Sequence, residues 1–300
     1  MKVMLIIFSC VFLIIPVLSV NEIKNNNDEL CYKEAGLDTL VFGRCYRSVL
    51  DELQKGADVN QLEVGESALT IAVSNNDIKM VNLLIAHGAK VHYECAAYPC
   101  YSPYIMALYD GLLEIVKIFI ENGAPVNLLI KQPFGGLYSS TLFRAVQSGN
   151  VKLVKYMVDQ GADITGFGGH NPVLAIDTLP VLNYFIRKKM KLDAIYEDSG
   201  DTLLHVLSDK GAFDWEEGER RKVIKRLISI GFDINILDFS GRTPLYASVL
   251  GNNIETVKLL VKLGADINLA DERGLTPLAV AKRDKYKELV LYLESIGATE

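Results

Sequence analysis

The chain has 300 residues, half of them apolar, and a formal net charge of −6 at pH 7. A surface that binds phosphate groups needs an excess of Lys and Arg, so this balance argues against nucleic acid and against an anionic membrane surface as partners. The apolar half is enough to build a continuous hydrophobic core.

The amino terminus has the pattern of a secretory signal. Lys2 precedes an apolar run over 3–20 that ends in a tolerable cleavage site. The run is barely long enough to span a bilayer, so an uncleaved membrane anchor is the alternative. We expect a removed signal peptide over 1–19, a flexible polar leader over 20–28 and a folded domain over 29–300. Cleavage would remove one positive charge and change the net charge from −6 to −7. We expect the mature protein in a periplasm or outside the cell, with no membrane insertion.

Four cysteines remain after such cleavage, namely Cys31, Cys45, Cys95 and Cys100. An even number in an exported protein indicates disulfides. Four cysteines allow three pairings, and proximity in the sequence favours Cys31–Cys45 and Cys95–Cys100. A zinc site formed by His92 with the second pair is a weaker alternative, because it lacks a fourth ligand. We therefore expect no metal.

Two successive units near the carboxyl terminus share the same opening and ending. The first opens with Gly-x-Thr-Pro-Leu at 241–245, continues through an apolar second segment, and ends with Gly-Ala-Asp-Ile-Asn at 264–268. Thr243 can cap a helix, and Pro244 suits its first position. Gly264 can end the second helix in a left-handed conformation. The next copy starts 33 residues later, and a unit of this size cannot bury its apolar face alone.

The Gly-Ala ending recurs along most of the chain. It is found at Gly56, Gly88, Gly123, Gly161, Gly264 and Gly297, as Gly-Phe at Gly231, and as a degraded copy at 191–193. This pattern resembles the ankyrin repeat over nearly everything after residue 40. The resemblance implies an all-α solenoid of seven or eight helix-turn-helix units, with projecting hairpin fingers and atypical terminal caps.

Several units depart from the repeat pattern. The first has predicted helices over 29–35 and 44–55, and no Thr-Pro-Leu opening. The fifth has an abbreviated second helix over 181–189, and the sixth carries an insertion over 209–219 between its helices. Two fingers are long, over 92–101 and 128–139, which stacking does not require. In the last unit Lys282, Lys285 and Lys287 mark an outer face with no further neighbour.

The sequence contains no convergent set of reactive groups. Gly-x-Ser-x-Gly, P-loop and His-Glu-x-x-His motifs are all missing, so we expect neither an enzyme nor a cofactor. His205 stands at a helix start and resembles the family's structural His, whose ring bonds local backbone. An enzyme or metal protein is the least favoured functional class.

The predicted binding surface combines finger aromatics with two positions at the ends of first helices. Tyr anchors interfaces at low entropic cost, although some of the rings in and after the fingers could instead be packed inside. We expect this of Tyr104, which stands where the family usually has Leu. The family pattern places the last residues of each first helix on the concave side. The predicted partner-binding residues are Tyr93, Tyr98, Tyr101, Tyr109, Asp110, Phe134, Tyr138 and Gln147.

These features predict a monomeric, non-enzymatic module that binds a protein partner through its fingers and concave surface. The alternative within the binding class is a dedicated inhibitor or immunity protein that blocks a toxic exported enzyme. The sequence does not identify the partner.

Overall fold

A computed structural model of the chain describes residues 36–63, 66–93, 102–131, 138–165, 169–209 and 217–300. The predicted signal peptide, the leader, Cys31 and the helix expected over 29–35 lie outside these ranges. The chain divides into two compact units, 1–103 and 104–300. Across the described ranges, every helix is too short or too polar to cross a bilayer.

The first unit contains two helix pairs and a short hairpin. Strands β1 and β2 are antiparallel, with Leu62 opposite Ser67. The elements are α1 (Leu37–Phe42), α2 (Tyr46–Gln54), β1 (Leu62–Glu63), β2 (Glu66–Ser67), α3 (Ala68–Ser74) and α4 (Ile78–Ala86).

The second unit continues the alternation of helix pairs and hairpins. Its first helix, α5, starts at the residue before the boundary between the units. The elements are α5 (Pro103–Tyr109), α6 (Leu113–Glu121), β3 (Leu129–Lys131), β4 (Tyr138–Ser140), α7 (Thr141–Gln147), α8 (Val151–Asp159), β5 (Gly169–His170), a 3-10 helix (Pro172–Ala175), α9 (Leu179–Arg187), α10 (Leu203–Ser208), α11 (Glu217–Ser229), α12 (Pro244–Leu250), α13 (Ile254–Lys262), α14 (Pro277–Arg283) and α15 (Lys287–Ser295).

The described residues thus hold eight helix pairs, with short strands between some of them, and the predicted all-α repeat fold is confirmed. The long finger predicted over 128–139 begins and ends as strands: β3 pairs antiparallel with β4, and β4 pairs parallel with β5 of the following finger. Two successive fingers of this unit therefore share one three-stranded sheet.

Helix starts follow the predicted capping chemistry. The Thr243 hydroxyl accepts a hydrogen bond from the backbone N–H of Tyr246 at 3.1 Å, and Pro244 is the first residue of α12. Ser67 and Ser140 cap α3 and α7 in the same way. Each cap satisfies one of the donors that a helix start leaves unpaired.

Helix ends explain why Gly recurs at a fixed spacing. Gly161 and six other repeat-ending glycines have positive φ angles, which glycine adopts without a Cβ clash. In the fifth unit a residue other than Gly ends the helix, and it stands at a different position than predicted. The left-handed residue is Lys189, with φ 54°, directly after α9 and its cap, so placing the degraded ending at 191–193 was wrong by two residues.

The fifth unit also differs at its first helix. Asn171 caps a single 3-10 turn, Pro172–Ala175, instead of an α-helix. The next residues are extended, because Ile176 has ψ 117° and Thr178 has ψ 144°. The insertion of the sixth unit is shorter than predicted, since α11 already begins at Glu217; residues 210–216 lie outside the described ranges.

The core consists of side chains from both helices of each pair. Tyr104 is 0% exposed and meets Phe119 edge to face, with ring centroids 6.4 Å apart. Its expected place in the core, at the position where the repeat usually has Leu, is therefore confirmed. Burial of such rings supplies much of the stacking energy of the repeats.

Candidate protein-binding surface

Tyr109 is a predicted binding residue that the structure leaves exposed. It is the last residue of α5 and 43% exposed. Gly111, two residues later, has φ +70°, and a Cβ at this position would lie 3.1 Å from the Ser148 side chain. The Asn150 amide also donates a hydrogen bond to the Gly111 carbonyl at 2.7 Å. The loop after Tyr109 is thus fixed against the next repeat, which presents the ring in a defined position.

Arg144 and Gln147 extend this surface onto the neighbouring helix, α7. The Arg144 Nη1 donates to Oε1 of Gln147 at 2.9 Å. Burial lowers the pKa of the Arg144 guanidinium, and the nearby Tyr109 hydroxyl works against that shift. The buried Nε of Arg144 has no hydrogen-bond partner within the described residues. Arg144 and Gln147 are joined by this hydrogen bond, and Tyr109 lies near Arg144; the three residues are called here the Tyr109 surface.

Asp110 belongs to the same surface. Its side chain is exposed, yet the protein packed around it raises the pKa of its carboxyl. The concave position that the family pattern predicts for Asp110 stays a prediction.

The structure describes the other predicted binding residues only in part. Tyr93 is half-buried in the first unit, where its hydroxyl lies 3.5 Å from that of Thr70. Tyr138 is a residue of β4, opposite Lys131, and its side chain is outside the description. Tyr98, Tyr101 and Phe134 fall outside the described residues. The role predicted for them stays a prediction.

Sequence reasoning missed a cluster in the fifth repeat. Burial raises the pKa of Asp177 to about 7, with Arg220 acting in the opposite direction. The Asp177 Oδ1 and the Thr178 hydroxyl are buried, and neither has a hydrogen-bond partner in the described part of the chain. The backbone at Gly149 passes close to Thr178 here, since a Cβ on Gly149 would lie 2.9 Å from the Thr178 methyl. No motif marks the site; its only sequence signal is the irregular repeat itself.

His205 has the structural role expected for it. It is 1% exposed, and its Nε2 donates to the Arg242 carbonyl in the next repeat at 2.9 Å. Its Nδ1 accepts from the backbone N–H of Thr202 at 3.3 Å. Burial is the main cause that lowers the pKa of the ring, so a neutral imidazole joins two repeats.

The cysteines are only partly described. Cys45 is disulfide-bonded, while Cys31, Cys95 and Cys100 lie outside the described ranges, so the pairing stays a prediction. His92 contacts the Ser102 hydroxyl at 3.2 Å. Where the structure describes the chain, no three His, Cys, Asp or Glu residues are grouped in a way that could hold a metal ion.

Comparison with known proteins points to one family. A family model described as ankyrin repeats, in three copies, matches residues 41–130 and 214–299. The ankyrin repeat protein FPV022 of Fowlpox virus (strain NVSL) is 28% identical over 208 residues, covering 62% of this chain and 34% of the viral protein. The B-cell lymphoma 3 protein homolog of Mus musculus is 37% identical over 86 residues, 28% of this chain and 19% of the mouse protein.

A third relative is the human transient receptor potential cation channel subfamily A member 1, which is 28% identical over 207 residues, 63% of this chain and 17% of the channel. The chain thus spans about a third or less of the length of these relatives.

Proposed function

The chain belongs to the ankyrin-repeat family, and on that premise we propose that it is a non-enzymatic module that binds a protein partner through the Tyr109 surface. The observation that carries the proposal is an exposed aromatic ring at the end of a helix, directly before a loop that is fixed to the next repeat. A preorganised aromatic residue costs little entropy to bury, which is why Tyr dominates many interfaces.

A photo-crosslinking residue at position 109 tests the proposal. Incorporated in place of Tyr109, it should give one discrete crosslinked protein in cells that make the chain naturally. The matched control is position 291 on α15, where Leu291 is 69% exposed. Equal products from both positions, or none from 109, would contradict the proposal.

Affinity for the crosslinked partner then gives a quantitative check. We expect Tyr109→Ala to weaken binding by about 2 kcal/mol or more without lowering the melting temperature. Tyr104→Ala should lower the melting temperature and leave the affinity of the folded protein unchanged, because it empties a core position. Loss of stability in Tyr109→Ala with unchanged affinity of the folded fraction would place the site elsewhere. A tight complex of one to one stoichiometry with an exported enzyme would favour the inhibitor alternative over a general scaffold.

We further propose that this binding takes place outside the cytoplasm, after removal of residues 1–19. The support is the apolar run after Lys2 together with the disulfide at Cys45, since disulfides persist in oxidising compartments. Mass analysis of the purified protein should find an amino terminus near Val20 or Asn21, and an intact Met1 in a membrane fraction would favour an anchor instead. Non-reducing peptide mapping should find Cys31–Cys45 and Cys95–Cys100.

A further inference from the structure

A groove lies across the outer helices α8, α9 and α11, away from the residues of the Tyr109 surface. Its volume is about 310 Å³, at the small end of the range for ligand pockets. Three cations from three different helices line it: Lys155 on α8, Arg187 on α9 and Arg226 on α11. The rest of the lining includes the Asn183 amide and the apolar side chains of Val151 and Ile186.

Within the described residues, none of these three cations forms a salt bridge, although Asp159 follows Lys155 by one helical turn. The Lys155 ammonium lies 5.9 Å from the centroid of the Tyr184 ring. Arg187 Nε donates to the Asn183 carbonyl at 3.2 Å, and Arg226 Nη1 lies 3.4 Å from the Ser229 hydroxyl. Most donors of both guanidinium groups therefore remain available.

Other outer helices of the same unit provide an internal comparison. Arg221 of α11 pairs with Glu255 of α13 at 3.4 Å, and Lys258 of α13 lies 3.8 Å from Glu288 of α15. Each of those two seams thus has an ion pair between its helices. The seam formed by α8, α9 and α11 collects positive charge in a chain whose net charge is −6, and like charges held together disfavour the fold unless an anion compensates them.

We propose that the groove binds a small anionic ligand that carries a phosphate or carboxylate group on an apolar stem. The two guanidinium groups offer planar pairs of donors that match such oxyanions, and Lys155 adds a point charge. Val151 and Ile186 receive the apolar part. This site is separate from the proposed protein-binding function and could be present with or without it.

The probes are phenyl phosphate, benzoate, inorganic phosphate and neutral benzyl alcohol, each titrated into the full-length protein. We expect phenyl phosphate or benzoate to bind saturably and more tightly than inorganic phosphate or benzyl alcohol. In NMR spectra, the changes in backbone amide chemical shift should be concentrated on α9. The better of the two aromatic anions identifies the oxyanion.

Charge variants locate the site. Arg187→Glu and Arg226→Glu should each weaken binding about tenfold or more, which is about 1.4 kcal/mol. Lys262→Glu on α13 makes the same change in net charge at an exposed residue outside the groove and should leave binding unchanged. Arg187→Gln and Arg226→Gln repeat the test without charge reversal if the Glu variants fail to fold. No saturable binding below about 10 mM, equal binding of benzyl alcohol, or equal weakening by Lys262→Glu would overturn the proposal.

Discussion

Asp177 is the residue whose environment differs most from that of an ordinary surface carboxylate. It follows the 3-10 turn that replaces the first helix of the fifth repeat, and burial is the main cause of its pKa of about 7, compared with the usual 3.8. Arg220 does not offset the cost of burying the charge. Asp177 therefore keeps its proton over a pH range in which the unfolded chain has released it.

Replacement of Asp177 by Asn should remove a pH dependence of stability. Because the folded protein binds more protons than the unfolded chain between about pH 4 and 7, this group favours folding at acidic pH and loses that contribution as the pH rises through about 7. We expect Asp177→Asn to raise the free energy of unfolding at pH 8 by on the order of 2 kcal/mol, and to change it little at pH 4.

Urea unfolding at a series of pH values measures this effect. The matched variant Asp193→Asn removes one carboxyl from the exposed surface and so controls for the loss of a negative charge alone. If Asp177→Asn is no more stable than the unaltered protein at pH 8, Asp177 is ionised in the fold without penalty.

Among the single elements, helix α9 ends differently from the last helices of the other repeats. Seven repeats end with Gly in the left-handed region, whereas the fifth has Lys189 there. A side chain with a Cβ is strained in that conformation by about 1–2 kcal/mol. The fold tolerates this strain at Lys189 because α9 still buries Val181, Leu182 and Phe185 on its inner face.

Lys189→Gly should therefore stabilise the protein. Relief of the strain outweighs the extra entropy of Gly in the unfolded chain, and a net gain of about 0.5–1 kcal/mol follows. The converse control is Gly161→Ala, where φ is +88° and a Cβ would meet no atom within 4 Å, so that only backbone strain is added. Thermal or urea unfolding gives both values, and a loss of stability in Lys189→Gly would contradict this account of the helix end.

At the scale of the whole molecule, a recurring Asn joins one repeat to the next. Asn127 accepts from the Asp163 backbone N–H at 2.8 Å and donates to the Gly161 carbonyl at 3.0 Å. In the same unit Asn235 accepts from Asp266 N–H, and within the first unit Asn60 makes both bonds, to Lys90 and Gly88. The Asn of the Gly-Ala-Asp-Ile-Asn ending is thus a stacking residue.

Asn127→Ala should loosen the contact between the third and fourth repeats. It removes both hydrogen bonds, and we expect a loss of about 1–2 kcal/mol; Asn127→Asp keeps the acceptor and should lose less. Asn122→Ala is the control, because the Asn122 amide bonds only within its own repeat, to Ile118 O. Hydrogen exchange of the amides at 161–163 should rise in Asn127→Ala and not in Asn122→Ala. Equal exchange in the two variants would mean that stacking does not depend on this Asn.

The sequence by itself determined the repeat and its period. Thr243, Pro244 and Gly264 each act through local backbone chemistry, which depends on neighbours a few residues away, and the structure has them in the predicted roles. Tyr104 and His205 were also assigned correctly, because each holds a fixed position within a repeat.

Only the tertiary structure decided which side chains meet across repeats. The raised pKa of Asp177, the neighbourhood of Tyr109 and Arg144, and the collection of Lys155, Arg187 and Arg226 in one groove all join residues that are tens of positions apart. A local sequence pattern does not predict such contacts, because burial and electrostatic fields depend on how the repeats stack. The displaced ending at Lys189 belongs here as well: packing of α9 overrides the preference for Gly at that position.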